Sequence, residues 1–150
     1  MFVRIGPYPK PRSKRERHEV VRVHRYDTWS LDSTLAKVIA PALSKFMDEW
    51  EHHAGYPSCF VDNGEMDAWR RVVSSMWLAF ELIANDYEDA LNEELFRRVP
   101  AHTFFRNPPE GERLCDTQAW ADYNAQREAI DNLIQDGLDN FAKYYRSLWN

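Results

Sequence analysis

The sequence has few of the features that mark common enzyme and ligand-binding classes. Its five glycines are scattered and form no phosphate-binding loop. Its two cysteines, Cys59 and Cys115, are too few for a disulfide scaffold and lack the spacing of a metal or redox site. We also find no nucleophile elbow, zinc-finger or helix–turn–helix pattern. The sequence therefore predicts no catalytic residues and no cofactor.

Long apolar runs are missing as well. No stretch approaches the roughly 18 consecutive apolar residues that a membrane helix needs. The first residues, 1–14, lack the apolar centre of a signal peptide. From these features we predict a soluble protein without a membrane partner, kept in a reducing cytosol where its two thiols stay unlinked.

Aromatic residues, in contrast, are abundant. The 150 residues include six Trp, seven Tyr and eight Phe, and 44% of the residues are hydrophobic. Each buried ring removes a large area from water, so a few rings can anchor several helices. This composition excludes disorder for most of the chain, and the length is that of one ordinary domain.

Charge is distributed unevenly along the chain. Residues 1–26 contain eight Lys or Arg and two Glu, a net charge of +6. The remainder, 27–150, contains 11 Lys or Arg and 22 Asp or Glu, a net charge of −11, which together give the total of −5. We therefore divide the single domain into a basic N-terminal β arm and an acidic helical body. Such an arm binds nucleic acid or another acidic partner, or else folds back on its own acidic body.

Hydrophobic periodicity predicts the secondary structure. Two short stretches, 2–5 and 18–25, are typical of strands that pair as a hairpin, which we expect to pack on the helices because a lone hairpin is marginal. Apolar spacings of three and four predict helices over 31–50, 65–87 and 116–148. The predicted fold is mainly α, a three- to four-helix bundle with a small N-terminal β-hairpin.

Three points inside the helices are less regular. Pro41 falls within the first helix and is expected to kink or split it. Residues 86–98 either extend the second helix or form a separate one. Gly137 is expected to weaken the last helix by about 1 kcal/mol relative to alanine.

The densest group of functional side chains lies at the start of the first helix. Asp27, Trp29 and Asp32 fall within six residues. In one interpretation Asp27 and Asp32 join Glu81 of the second helix, with Asp62 as a further carboxylate, in a ligand or metal site. In the other, Asp27 or Thr28 caps a turn, Asp32 stabilises the helix start, and Trp29 packs as an N-terminal staple.

Other candidate positions have similar alternatives. Glu81 follows an apolar stretch, and is either a carboxylate of raised pKa or a structural partner of Lys, Arg or Tyr. Tyr144 and Tyr145 lie beside basic residues and either stack on a ligand or belong to the core. Residues 48–53 contain acidic and histidine side chains at i,i+4, but too few ligands for zinc, so no metal site is predicted.

Several segments resemble one family. Residues 26–36 with 39–43 are similar to the D-T-W-x-x-D-x-T-L-A…I-x-P-x-L segment of a family of uncharacterised tailed-bacteriophage proteins. Residues 55–62 resemble its H-G-x-P-x-V-D loop, 69–81 its W-x-x-V-x-x-x-M-x-x-A-F-E helix, and 141–149 its terminal F-x-K-Y-Y-x-x-L-W. The segments occur in the same order as in the family.

The chain also departs from this family pattern. Ser74 and Ser75 occupy positions where family members often have two acidic residues, and the N-terminal region is shorter. The resemblance implies a bacteriophage origin and a location in the host cytoplasm or the virion. It implies no reaction.

Three functions follow as hypotheses. The first is a small, non-enzymatic bacteriophage accessory protein that binds and inhibits a host factor, as in anti-defence or host takeover. The alternatives are a metal- or nucleotide-binding enzyme using helix carboxylates, and a structural component of the virion. The partners considered are a host or phage protein, a small molecule, a second copy of the chain, and nucleic acid bound through residues 1–26.

Overall fold

The computed structural model describes residues 1–5, 19–53, 66–98 and 117–148, and all structural statements below refer to these ranges. Two strands at the N-terminus precede a series of helices, which confirms the predicted mainly α fold with a small hairpin. The elements are β1 (Phe2–Ile5), β2 (Glu19–Arg22), the short 3₁₀ helix η1 (Arg25–Thr28), α1 (Leu31–His53), α2 (Met66–Ala84), α3 (Tyr87–Arg98), α4 (Thr117–Tyr144) and the 3₁₀ turn η2 (Tyr145–Ser147).

The two strands pair as predicted. They are antiparallel, with Phe2 opposite Arg22 and Val3 opposite Val21. The expectation that the hairpin packs on the helices is wrong for Phe2 and Val21, which are 54% and 62% exposed. An ion pair of 2.6 Å between the Met1 amino group and the Asp27 carboxylate joins the hairpin to η1 instead. A polar contact therefore fixes the start of the hairpin beside the helical body.

The buried face of α1 is centred on small residues. Ala36, Ala40 and Leu43 are fully or almost fully buried, whereas Leu31 and Leu35 are 44% and 40% exposed. Helix axes approach more closely where the side chains between them are small. The buried face of α1 therefore runs along Ala36, Ala40 and Leu43, and the first two leucines of the helix lie near the surface.

The core surrounds α2, which packs against both α1 and α4. Trp69 of α2 meets the ring of Tyr144 edge-on at 5.7 Å, and Phe80 meets Phe141 in the same way at 4.9 Å. Each edge-on aromatic pair stabilises the fold by about 0.5–1.5 kcal/mol beyond the contribution from burying the surface of its two rings. The other buried side chains of this core are Ala36, Ala40, Leu43, Val73 and Met76.

The helix boundaries resolve two alternatives from the sequence. α1 continues through Pro41 without a break, so the predicted split does not occur. α2 ends at Ala84, and Asp86 adopts a left-handed backbone conformation with φ of 51°, which Asp tolerates better than most residues. Residues 87–98 therefore form a separate helix. Within the described ranges, no helix is both long and apolar enough to cross a bilayer.

Gly137 lies where α4 crosses α2. A Cβ atom added here would collide with the Cβ of Ala79 and the carbonyl oxygen of Ser75. Nearby, the Asn140 amide donates a hydrogen bond of 3.0 Å to the Ser75 hydroxyl, which donates to the Val72 carbonyl at 2.8 Å. The prediction that Gly137 weakens α4 holds only for an isolated helix, because in the bundle its missing side chain permits this close approach.

A second, smaller core joins α3 to α4. Leu95 and Ala119 are buried, and Trp120 and Tyr123 pack against them. An ion pair of 2.8 Å between Arg98 and Asp122 lies beside this cluster.

Candidate interaction surfaces

Asp27 has a local structural role. Its carboxylate accepts a hydrogen bond of 2.6 Å from the His24 backbone N–H, while the His24 ring accepts one from the Tyr26 backbone N–H, which together form a capping box around η1. The Met1 amino group holds the other carboxylate oxygen. This hydrogen bond with the amino group, followed by that from His24, lowers the pKa of Asp27. The capping interpretation of Asp27 is therefore confirmed.

Trp29 is not an N-terminal staple. Its side chain is 81% exposed, and its ring and the Tyr26 ring meet edge-on, with centroids 5.7 Å apart. Tyr26, itself 57% exposed, stacks on the His24 ring at 5.1 Å, and the Arg25 guanidinium lies 4.9 Å from the centre of the Tyr26 ring. We call His24, Arg25, Tyr26 and Trp29 the N-terminal aromatic surface. Its rings contact one another and not the helical core.

Asp32 lies in a groove of about 480 Å³, with both polar and apolar lining residues, between the start of α1, the turn from α2 to α3, and α4. The Tyr87 hydroxyl donates a hydrogen bond to Asp131 in this groove, and Arg127 pairs with Glu88 at 3.2 Å. The lining residues are Ser30, Asp32, Ser33, Ile83, Asp86, Tyr87, Glu88, Asp131, Ile134 and Leu138. Neither Asp27 nor Glu81 belongs to this lining.

Glu81 is half-buried and accepts a hydrogen bond of 2.9 Å from the side-chain amide of Asn85, one helical turn later. Among the described residues, it therefore pairs neither with a Lys, Arg or Tyr, as one interpretation of the sequence suggested, nor with Asp27 or Asp32. Asp62 lies outside the described residues. Among the residues that the structure describes, no group of three or more His, Cys, Asp or Glu side chains could hold a metal ion. These contacts give no support to a three-carboxylate centre.

Tyr87 connects α3 to α4, and this contact predicts a dependence on alkaline pH. Its hydrogen bond to Asp131, followed by desolvation, raises the pKa of the phenol from 10.0 to about 12. Because the folded state holds this proton more tightly than the unfolded state, the contact contributes its full stabilisation to the folded state below pH 10. This stabilisation is lost as the pH rises through about 12. We expect Tyr87 to ionise after a normal tyrosine in an absorbance titration, and the Tyr87→Phe variant to lose that late step. An unchanged titration curve in the variant would contradict this assignment.

The two C-terminal tyrosines have different environments. Tyr144 is half-buried against Trp69, which confirms the core interpretation for this residue. Tyr145 is 63% exposed and meets Phe141 edge-on at 5.4 Å. It borders an apolar cavity of about 280 Å³ between α1 and the end of α4, which we call the C-terminal groove. The groove is lined by Val38, Ile39, Ala42, Leu43, Phe46, Phe141, Tyr145 and Leu148.

The sequence therefore predicted one residue of each surface: Trp29 of the N-terminal aromatic surface, Asp32 of the groove beside Tyr87, and Tyr145 of the C-terminal groove. It did not identify the other residues as parts of a surface. Periodicity assigned Val38, Ile39 and Phe46 to a core face, because the pattern does not reveal that a neighbouring helix leaves part of that face uncovered. Arg25 and Tyr26 could have been predicted as members of the N-terminal aromatic surface, because they end the basic segment 1–26 and lie just before Asp27 and Trp29 in the sequence. Comparisons with models of protein families, with curated proteins and with solved structures found no match.

Proposed function

We propose that this chain is a non-enzymatic bacteriophage protein that binds an amphipathic helix of a host protein in the C-terminal groove. The observation that carries the proposal is the apolar groove between α1 and α4, with the exposed ring of Tyr145 on its border. The bacteriophage origin is supported by the resemblance of residues 26–149 to the phage family.

The shape of the groove favours a helix as the bound element. Two helices, α1 and α4, both pack on α2 and form the two walls of the groove. A helix with apolar residues at i, i+3, i+4 and i+7 lays that stripe into such a groove. It would occupy the place that a further helix takes in a complete bundle.

The side chains of the groove suit a binding site. Phe46 and Phe141 supply large apolar contacts, and Tyr145 adds an aromatic ring whose hydroxyl can remain in water. Exposed aromatic residues of this kind often carry a large share of the binding energy in protein interfaces. Residues 27–150 have a net charge of −11, so the polar face of the bound helix is expected to be basic.

The test compares wild-type protein with two groove variants. In quantitative affinity capture from a bacterial host lysate, we expect a host protein that Tyr145→Ala and Ala42→Glu retain at least tenfold less well. Both side chains are exposed, so neither change should unfold the chain. Trp29→Ala is the matched control, since it removes an exposed aromatic ring elsewhere and should retain the partner fully.

Two results would contradict the proposal. In one, every captured protein is retained equally by the wild type and both groove variants. In the other, sedimentation equilibrium shows a dimer of the wild type that Ala42→Glu converts to a monomer, in which case a second copy of the chain fills the groove.

A further inference from the structure

We infer that the N-terminal aromatic surface, together with the adjoining face of the hairpin, binds single-stranded nucleic acid by base stacking and phosphate contacts. This goes beyond the proposed function and does not depend on the C-terminal groove. It rests on exposed rings and arginines that the helical core does not use.

The rings form a stacking platform. Trp29 is 81% exposed, so its ring can accept a base without any change in the core. Tyr26 is 57% exposed but is stacked on His24 and lies beneath the Arg25 guanidinium, so it supports Trp29 and does not itself accept a base. The position of Tyr26 is held by its stack on His24 and by the capping box between His24 and Asp27, and Trp29 packs edge-on against Tyr26. A ring held in place loses little conformational freedom on binding, which favours affinity. Stacking on such rings tolerates any base, because every base has a π-face.

The hairpin adds positive charge on one face. Residues directly opposite in an antiparallel pair share a face, and Arg22 lies opposite Phe2 while Arg4 lies opposite Val20. Because alternate residues of a strand also share a face, Phe2, Arg4, Val20 and Arg22 all lie on the same side. Both arginines are exposed, and neither forms an ion pair with any residue in the described ranges.

The arginines and the rings are close along the chain. β2 ends at Arg22 and η1 begins at Arg25, and three residues span at most about 10 Å. The Met1–Asp27 ion pair also holds the first residue of the hairpin against η1. Arg25, whose guanidinium lies 4.9 Å from the centre of the Tyr26 ring, adds a third positive charge beside the rings.

The alternation of rings and charges indicates the class of ligand. A single strand offers both an unstacked base face and a phosphate at each nucleotide. A duplex hides its base faces, and an acidic peptide offers charge without planar rings. Residues 27–150, with a net charge of −11, repel a polyanion, so we expect the contact to stay on this surface.

The experiment is a fluorescence-anisotropy titration of the full chain with labelled 20-nucleotide oligo-dT and oligo-rU, at several salt concentrations. We expect binding at low salt with a slope of log K against log salt near −2, because three arginines contribute about 0.7 each for a single strand. Trp29→Ala should weaken binding about tenfold, with partial recovery in Trp29→Phe. Arg22→Gln should reduce the slope by about 0.7. Tyr145→Ala is the control and should bind like the wild type.

Three results would overturn the inference. The first is no binding of either single strand at low salt by a chain with a wild-type circular dichroism spectrum. The second is equal affinity for a duplex of the same length with no effect of Trp29→Ala, which would mean non-specific charge attraction. The third is full displacement of the oligonucleotide by an equal charge concentration of polyglutamate, which would assign the surface to acidic proteins. Because Tyr145→Ala is the control here and the test variant for the groove, the two proposals fail separately.

Discussion

Replacing Trp69 with alanine is expected to lower the free energy of unfolding by about 3–5 kcal/mol. The indole is 1% exposed and is one of the largest fully buried side chains of the described ranges. It projects from α2 and meets Tyr144 edge-on, so its removal leaves a cavity at the contact between α2 and the end of α4. Rigid neighbours fill such a cavity only in part, and the lost contacts are not regained.

The matched control for this variant is Trp29→Ala. It makes the same chemical change at a side chain that is 81% exposed, and should alter the free energy of unfolding by less than about 0.5 kcal/mol. Urea denaturation followed by circular dichroism measures both variants. Equal losses in the two variants would mean that Trp29 contributes to the core, against the structure described above.

Replacing Gly137 with alanine is expected to destabilise the protein by about 1–3 kcal/mol, although helix propensity alone predicts a gain of about 1 kcal/mol. The new Cβ atom would meet the Ser75 carbonyl oxygen and the Ala79 Cβ. The carbonyl oxygen is part of the backbone and the Cβ atom is bonded directly to it, so neither atom can rotate away from the new methyl group. α4 must then move away from α2, which loosens the contacts around it.

Thermal unfolding shows whether Gly137→Ala lowers or raises the stability of the protein. The control is Asp136→Ala, at the exposed neighbouring position of α4, where an alanine can only change helix propensity and surface charge. We expect the Tm of Asp136→Ala to stay near that of the wild type and the Tm of Gly137→Ala to fall. A higher Tm for Gly137→Ala would show that the two helices are not in close contact at this point.

Local patterns were sufficient for the hairpin and for three of the four described α-helices. β-branched residues placed the hairpin, and apolar spacings of three and four placed α1, α2 and α4 within a few residues of their observed ends. Such patterns work because they depend on the backbone period and on the need of each helix to bury one face. The capping role of Asp27 could also be predicted, since its partner His24 is only three residues away.

The candidate sites depended on information that is not local. Trp29 and Trp69 are the same residue type, and each follows an Asp by two residues, yet one is 81% and the other 1% exposed. One interpretation of the sequence placed Glu81 beside distant carboxylates and another beside a Lys, Arg or Tyr, but the Asn85 amide that it contacts is one helical turn away. Only the arrangement of neighbouring helices decides whether a side chain is covered, and a single sequence contains no direct record of that arrangement.

By itself, the amino-acid sequence determined that this chain forms amphipathic helices and an N-terminal hairpin, because these follow from the order of polar and apolar residues over short distances. The tertiary structure alone decided that α2 is central, that α4 approaches it through Gly137, and that α1 and α4 leave an apolar groove between them. The reason is steric: helices with similar apolar stripes can pack in several ways, and the choice depends on how closely their backbones and side chains fit across the interface.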